Sequence, residues 1–232
     1  ERQALRAELK STLVTLASAV AHDVNNAVGT ILPLVQQVRE DLAGAAPDLG
    51  VLDRDLEVVM EKARLCQRIF SNMLRVARAG RTGDGAVDLN QVVQETVPFF
   101  EGQALRRGIE PALELAEGLP LVRASRQDLQ HMVLNLVTNA LEALEGRPEG
   151  RVTVSTRGEG DRAFLTVEDD GPGIRPDLLE QVQEPFFSTK QGGTGLGLAI
   201  CRALAWQNGG RLDIASDPGR GTRATVLLRS AL

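Results

Sequence analysis

The sequence predicts an all-α helical hairpin, paired with a second copy as a dimeric four-helix bundle, followed by an α+β sandwich with a mixed sheet and helices on one face. Three observations carry that prediction. Apolar residues over roughly the first 79 positions recur at spacings of three and four, the period of a helix with one buried stripe. The stretch Ala79-Gly80-Arg81-Thr82-Gly83-Asp84-Gly85 then interrupts the pattern with linker composition. Beyond it, alternating strand patterns mix with three further helices, as in folds that gather helices against one face of a sheet. The expected division is 1–79 for the hairpin, 80–86 for the linker and 87–232 for the second domain.

In the first helix, to about residue 42, the stripe is Leu9, Leu13, Leu16, Val20, Val24, Ala27, Ile31, Leu34 and Val38. Pro33 lies inside it and is expected to bend it, because proline lacks the backbone donor and clashes with the preceding turn. Residues 43–50, with Gly44, Pro47 and Gly50, read as the turn. A cleaner seam follows: Leu49, Leu52, Leu56, Val59, Ala63, Cys66, Phe70, Met73 and Ala77. Cys66 is therefore expected as a small core residue. Two helices cannot bury both stripes against each other alone, so a second hairpin should complete the bundle and the protein should be a homodimer.

In the second domain a helix is expected over about 90–106, with strands at about 109–115 and 121–124. Ser125-Arg126-Gln127-Asp128 reads as a capping box that starts a helix running to about Leu144. Strands at 151–157 and 162–168 flank a hairpin at 157–161. A helix over about 195–208 should end at Gly209-Gly210, and strands at 211–215 and 223–229 close the domain.

Composition excludes several functional classes. A net charge of -5 argues against a nucleic-acid surface, which needs a basic excess. Two distant cysteines suggest neither a disulfide framework nor a zinc site, and fit a reducing, cytoplasmic compartment. No apolar run reaches the ~18 residues that would suggest a membrane helix, so no membrane contact is expected of this chain. The chain opens without Met, directly in a helical pattern, and reads as part of a longer protein.

Three clusters point to chemistry. At ~100° per residue His22 lies about 200° round the helix from Val20, away from the stripe. Asn25, Asn26 and Gly29 share its face, with Asp23 beside it. On the helix after Ser125, Asn135, Asn139 and Glu142 form a polar ridge beside the core stripe. Asparagine is a poor mid-helix residue, and carboxamide oxygens are hard ligands suited to Mg²⁺. Asp169-Asp170-Gly171-Pro172-Gly173 follows a strand, so Asp169 can accept a hydrogen bond from the exocyclic amine of a base. Gly193-Thr194-Gly195-Leu196-Gly197-Leu198 leads into a helix, where backbone N–H groups and the helix dipole favour an anion. Neither the dinucleotide fingerprint nor a GxxxxGK[ST] loop is present.

Taken in order, Asn135 to Glu142, Asp169-x-Gly171-x-Gly173, Glu184-Pro185-Phe186-Phe187-Ser188-Thr189-Lys190 and Gly193-x-Gly195-Leu196-Gly197-Leu198 resemble the N, G1, F and G2 boxes of sensor histidine kinases. Ala21 to Asn26 resembles their H box in its HDxxN form. The resemblance spans nearly the whole chain and implies a phosphoacceptor hairpin joined to a Bergerat-type ATP-binding domain. It implies His22 as phosphoacceptor, Asp23 as the adjacent acid that orients the ring and takes its proton, and Asn26 as the residue that orients water for dephosphorylation of a partner. It further implies Asn139 as Mg²⁺ ligand with Asn135 in support, and Asp169 as the adenine-reading carboxylate. Gly171, Gly173, Gly193, Gly195 and Gly197 would supply hinges and phosphate-facing backbone, within a glycine box that includes Thr194 and Leu196, and Lys190 would reach the phosphates. ATP, Mg²⁺ and a response-regulator receiver domain are the implied cofactors and partner. Ala27 departs from relatives that carry proline after the asparagine. The ATP-binding part also resembles gyrase- and MutL-type ATPases, but Asn135 stands where those carry a catalytic glutamate and lacks its basicity.

Overall fold

In the computed structural model, residues 24–43, 48–78, 85–147, 149–185, 187–189 and 195–231 are described, apart from the side chains of 64, 65 and 67–78. The chain divides into two compact units, Glu1–Arg78 and Ala79–Leu232.

The first unit is a helical hairpin. Its α1 is helical over 24–43, continuing through Pro33, and α2 spans Leu49–Arg78. Asp48 caps α2: its Oδ1 accepts from the backbone N–H of Gly50 (2.9 Å) and Val51 (3.3 Å), donors that would otherwise be orphaned in the first turn. Ala27, Val38 and Leu52 are buried, and Val24, Ile31, Leu34, Val59 and Cys66 are half-buried, so the expected stripes do face inward at these positions. Leu49, Leu56 and Ala63, expected in the same seam, are exposed within one chain. The expected positions Leu9 to Val20, and the side chains of Phe70, Met73 and Ala77, lie outside the described residues.

The second unit packs three helices, α3 (Leu89–Arg106), α4 (Arg126–Ala143) and α5 (Gly197–Gln207), on a five-stranded sheet. Its strands are β2 (Ala112–Leu115), β4 (Val152–Glu159), β5 (Arg162–Asp169), β6 (Arg211–Asp217) and β7 (Gly221–Arg229), in the order β2-β4-β5-β7-β6. Only β2 and β4 run parallel; the other neighbours are antiparallel, which makes the sheet mixed as expected. Alternation sets the two faces. Val152, Val154, Leu165 and Val167 of β4 and β5 point to the core against α4, whose Leu129, Met132, Val133, Leu136, Val137 and Leu141 are buried, and Val226 and Leu228 of β7 are buried in the same core. Polar pairs occupy the other face, among them Glu168 opposite Arg223, joined by bonds of 2.9 and 3.0 Å.

Three expectations need correction. The strand expected at 109–115 is only Ala112–Leu115: Gly108 makes a positive-φ turn, and Pro111 has no N–H to donate to a ladder. The strand expected at 121–124 shrinks to β3 (Val122–Arg123), which leaves the main sheet and pairs antiparallel with β1 (Ala86–Val87). The end of the expected linker is thus a strand. Two 3₁₀ turns, Pro176–Leu178 and Gln181–Gln183, were not legible as elements. Of the expected capping box only the N-cap half forms: Ser125 Oγ accepts from the Asp128 N–H at 3.4 Å, but the Ser125 N–H donates to Asn208 Oδ1 and not to Asp128, while Gly209 follows α5 at φ 71° as expected.

Candidate nucleotide site

The site is built around the C-terminal end of α4. Leu129, Met132, Val133, Leu136, Val137 and Ala140 are buried, which fixes the helix's roll and leaves Asn135, Asn139 and Glu142 half-buried along one edge. The N-terminus of α5 arrives beside that edge. A Cβ added to Gly197, the first residue of α5, would stand 3.5 Å from both Oδ1 and Nδ2 of Asn139. With glycine there, the α5 backbone approaches the Asn139 carboxamide with no side chain between them. Leu196 occupies the α5 N-cap and makes no side-chain cap hydrogen bond, and the positive end of a helix favours an anion.

The glycine box after β5 reaches the same end of α4. Asp169 is only 7% exposed at the strand's last position, and its Oδ1 accepts from the Gly171 N–H at 2.9 Å. A Cβ on Gly171 would lie 2.6 Å from that Oδ1 and 3.3 Å from the carbonyl of Ala143, one helical turn beyond Asn139. Asp169, Gly171, Ala143, Asn139 and Gly197 thus form one continuous neighbourhood. Asp170 points elsewhere: its Oδ1 accepts from the Arg151 N–H (2.6 Å), and its carbonyl accepts from Arg147 Nη1 (3.3 Å), which pins the loop on its outer side.

A support beneath the loop was missed in the sequence. The β6–β7 turn, Asp217 to Gly221, holds the glycine box from below. The Gly219 N–H donates to the Pro172 carbonyl (2.7 Å), and the Ile174 N–H donates to Ser216 Oγ (2.8 Å), which itself donates to the Gly221 carbonyl (2.7 Å). Gly221 has φ 98° and passes so close to the Asp169 backbone that any Cβ would overlap its carbonyl oxygen. The available signal was two glycines flanking Arg220 in a turn between strands.

Asn135 sits on the same edge one turn before Asn139 and reaches Cys201 of α5. Burial pushes the Cys201 thiol up to about 12, while a side-chain hydrogen bond from Asn135 acts in the opposite direction. A thiol held protonated inside the core is a packing element and not a nucleophile. Gly173 lies over the Asp217 carbonyl, and Gly195, at φ 60°, turns the chain into α5. Lys190, Gly193 and Thr194 lie outside the described residues, as do His22 and Asp23. Asn26 belongs to the first unit and is exposed, its carbonyl accepting from Thr30 Oγ1 at 3.1 Å.

Among the described residues no group of three or more His, Cys, Asp or Glu side chains could hold a metal. The chemistry at α4 is compatible with Mg²⁺ nonetheless: an amide oxygen from Asn139 beside an anion-favouring helix end suits an ion that takes most of its shell from phosphate and water. Among the described residues no helix is long and apolar enough to cross a membrane.

Comparison with known proteins agrees with this geometry. Residues 124–232 match the family described as histidine kinase-, DNA gyrase B-, and HSP90-like ATPase. Sensor histidine kinase ZraS of Salmonella typhi is 33% identical over 214 residues, covering 92% of this chain and 45% of its own length. The solved structure of the mycobacterial sensor histidine kinase MprB is 32% identical with a TM-score of 0.51, covering 62% of this chain and 95% of that one. The structure of histidine kinase ThkA in complex with response regulator protein TrrA shares the fold over 97% of this chain and 64% of that one, with a TM-score of 0.71 at 20% identity. The chain belongs to the sensor histidine kinase family and corresponds to its catalytic core. It spans about half the length of the curated relatives it matches.

Proposed function

We propose that this chain is an ATP-dependent, autophosphorylating protein-histidine kinase core of a two-component system, with residues 1–79 as dimerisation and phosphotransfer hairpin, 80–86 as linker and 87–232 as ATP-binding domain. The observation that carries the reading is the convergence of Asn139, Gly197, Asp169 and Gly171 on one end of α4. In this reading Asp169 accepts from the adenine amine, held in place by the Gly171 N–H. The α5 N-terminus and the residues 193–197 receive the phosphates, with Lys190 as a further cation. Asn139, with Asn135 behind it, would hold Mg²⁺, and the ion would supply charge neutralisation at the transferred group. A ring nitrogen of His22 attacks the γ-phosphorus; the bond to the β-phosphate oxygen breaks, ADP leaves, and Asp23 takes the ring proton. Positioning dominates such a transfer, so the approach of the ATP-binding domain to His22 gates it.

The phosphoryl group then passes to an aspartate of a response-regulator receiver domain in the cytoplasm, as the relative crystallised with TrrA suggests. Asn26, exposed and four residues after His22 in the sequence, orients water for the dephosphorylation of that partner. Two copies pair through the hairpin. Val28, Leu32, Val35 and Leu42 form a second apolar row on α1, exposed within one chain, and Leu49, Leu56 and Met60 form another on α2. Both rows keep heptad-like spacing, as a four-helix bundle needs.

One experiment tests the catalytic assignment. Protein incubated with Mg²⁺ and [γ-³²P]ATP should acquire acid-labile, base-stable label; His22→Gln should abolish the label while ATP still binds, and Asn26→Ala should keep it but lose phosphatase activity towards the cognate regulator. Normal labelling of His22→Gln refutes the acceptor, and unchanged phosphatase activity in Asn26→Ala removes that role.

A further inference from the structure

The two helices that carry the nucleotide site are fastened to each other at their far end. Ser125 and Asp128 open α4, and Asn208 closes α5. The Asn208 carboxamide, 8% exposed, uses its acceptor and both donors: Oδ1 accepts from the Ser125 N–H (2.9 Å), and Nδ2 donates to Asp128 Oδ2 (3.0 Å) and to the Leu204 carbonyl (2.8 Å). Two turns back along α5, Cys201 Sγ lies 3.9 Å from the Met132 carbonyl. One turn further, Gly197 faces Asn139. The partners on α4 advance in the opposite sense, from Ser125 and Asp128 through Met132 to Asn139, so α4 and α5 are antiparallel and in register along their shared length.

We propose that Asn208 is a positioning residue for the nucleotide site: its bonds to Ser125, Asp128 and Leu204 fix how far α5 slides along α4, and thereby the separation of Asn139 from the α5 N-terminus at Gly197. The inference rests on the reading of that end as the MgATP site. An α-helix carries an axial shift of one end to the other with little loss, and a misplacement of about 1 Å in a reacting geometry can cost on the order of 100-fold. At Cys201 the seam holds a long sulfur contact to the Met132 carbonyl and a bond with Asn135, and a thiol resists sliding far less than a carboxamide with every hydrogen-bonding group engaged.

The test uses the full chain, MgATP as titrant and the single tryptophan, Trp206, as a local reporter of the α5 end. Asn208→Asp keeps the acceptor for Ser125 but sets a carboxylate against Asp128 and the Leu204 carbonyl. Combining Asn208→Asp with Asp128→Asn returns a donor facing an acceptor, with the roles exchanged. Asp128→Ala removes one bond only and serves where Asn208→Asp does not fold. The expected result is a MgATP Kd raised about 10-fold in Asn208→Asp, about 3-fold in Asp128→Ala, and recovered to within about 3-fold of wild type in the double variant. Folded single variants that bind MgATP with wild-type affinity, whatever their Tm, overturn the proposal, and so does a double variant no better than Asn208→Asp. Wild-type protein that binds no MgATP would instead sink the functional reading itself.

Discussion

Replacing Gly197 by alanine should raise the stability of the second unit while lowering its affinity for MgATP. Gly197 is the first residue of α5, and its φ is not in the left-handed region, so alanine fits the backbone. The new methyl would lie 3.5 Å from Oδ1 and Nδ2 of Asn139, an ordinary van der Waals contact that asks no atom to move. Alanine is worth about 0.5–1 kcal/mol over glycine in a helix interior and less in the first turn, which gives a Tm rise of no more than about 4 °C for a unit of this size. The same methyl occupies the space through which Asn139 Oδ1 would reach an ion some 2.1 Å away and through which the α5 backbone would approach a phosphate. Losing one charge-assisted interaction costs about 1.5–3 kcal/mol, or roughly 10- to 150-fold in Kd. Thermal melts followed by circular dichroism and calorimetric MgATP titrations measure the two effects on the same sample. Wild-type affinity in Gly197→Ala refutes the assignment of this gap to the nucleotide, and a Tm lowered by several degrees refutes the packing argument.

Gly221→Ala should do the reverse: a Cβ at φ 98° would overlap the Asp169 carbonyl, so the β6–β7 turn or strand β5 must yield, with an expected loss of about 2–4 kcal/mol and a Tm some 4–16 °C lower; an unchanged melt would show that the turn is not a rigid support. The Cys201 thiol, raised from 9.0 to about 12, stays protonated in the folded state while the unfolded chain ionises above pH 9. The unfolded state then binds fewer protons at this thiol, so its contribution to stability is constant below pH 9 and falls by about 1.4 kcal/mol per unit above it until the folded thiol also ionises. Wild type should therefore lose more stability than Cys201→Ala between pH 8 and 10, and parallel losses would refute this. Leu32→Glu should break the proposed homodimer: Leu32 is 59% exposed in one chain, its burial is worth about 1.5–3 kcal/mol, and two-fold symmetry counts the change twice. Light scattering should show a shift to monomer, and an unaltered dimer would exclude this surface.

Much of the fold was legible because its signals are local. The period of the α4 stripe, the Ser125 cap and the glycine after α5 each depend on residues within a few positions of one another, and all three stand where expected. The residue types of the candidate site were legible too, since a mid-helix asparagine pair and glycine strings contradict ordinary helix and strand preference. Strand β1 was not, and β3 was read two residues too long, because two residues carry no periodicity and exist only through pairing across the fold.

By itself the sequence determined the hairpin followed by the α+β unit, the family, and which side chains could serve a nucleotide. Tertiary structure alone decided that Asp169, Asn139 and Gly197 meet at one end of α4. It also decided that Ser216 and Gly221 support the loop and that Asn208 ties α4 to α5. The reason is distance along the chain: each of those contacts joins residues separated by whole elements, so its geometry follows from how helices and strands pack and not from any pattern a short stretch can hold.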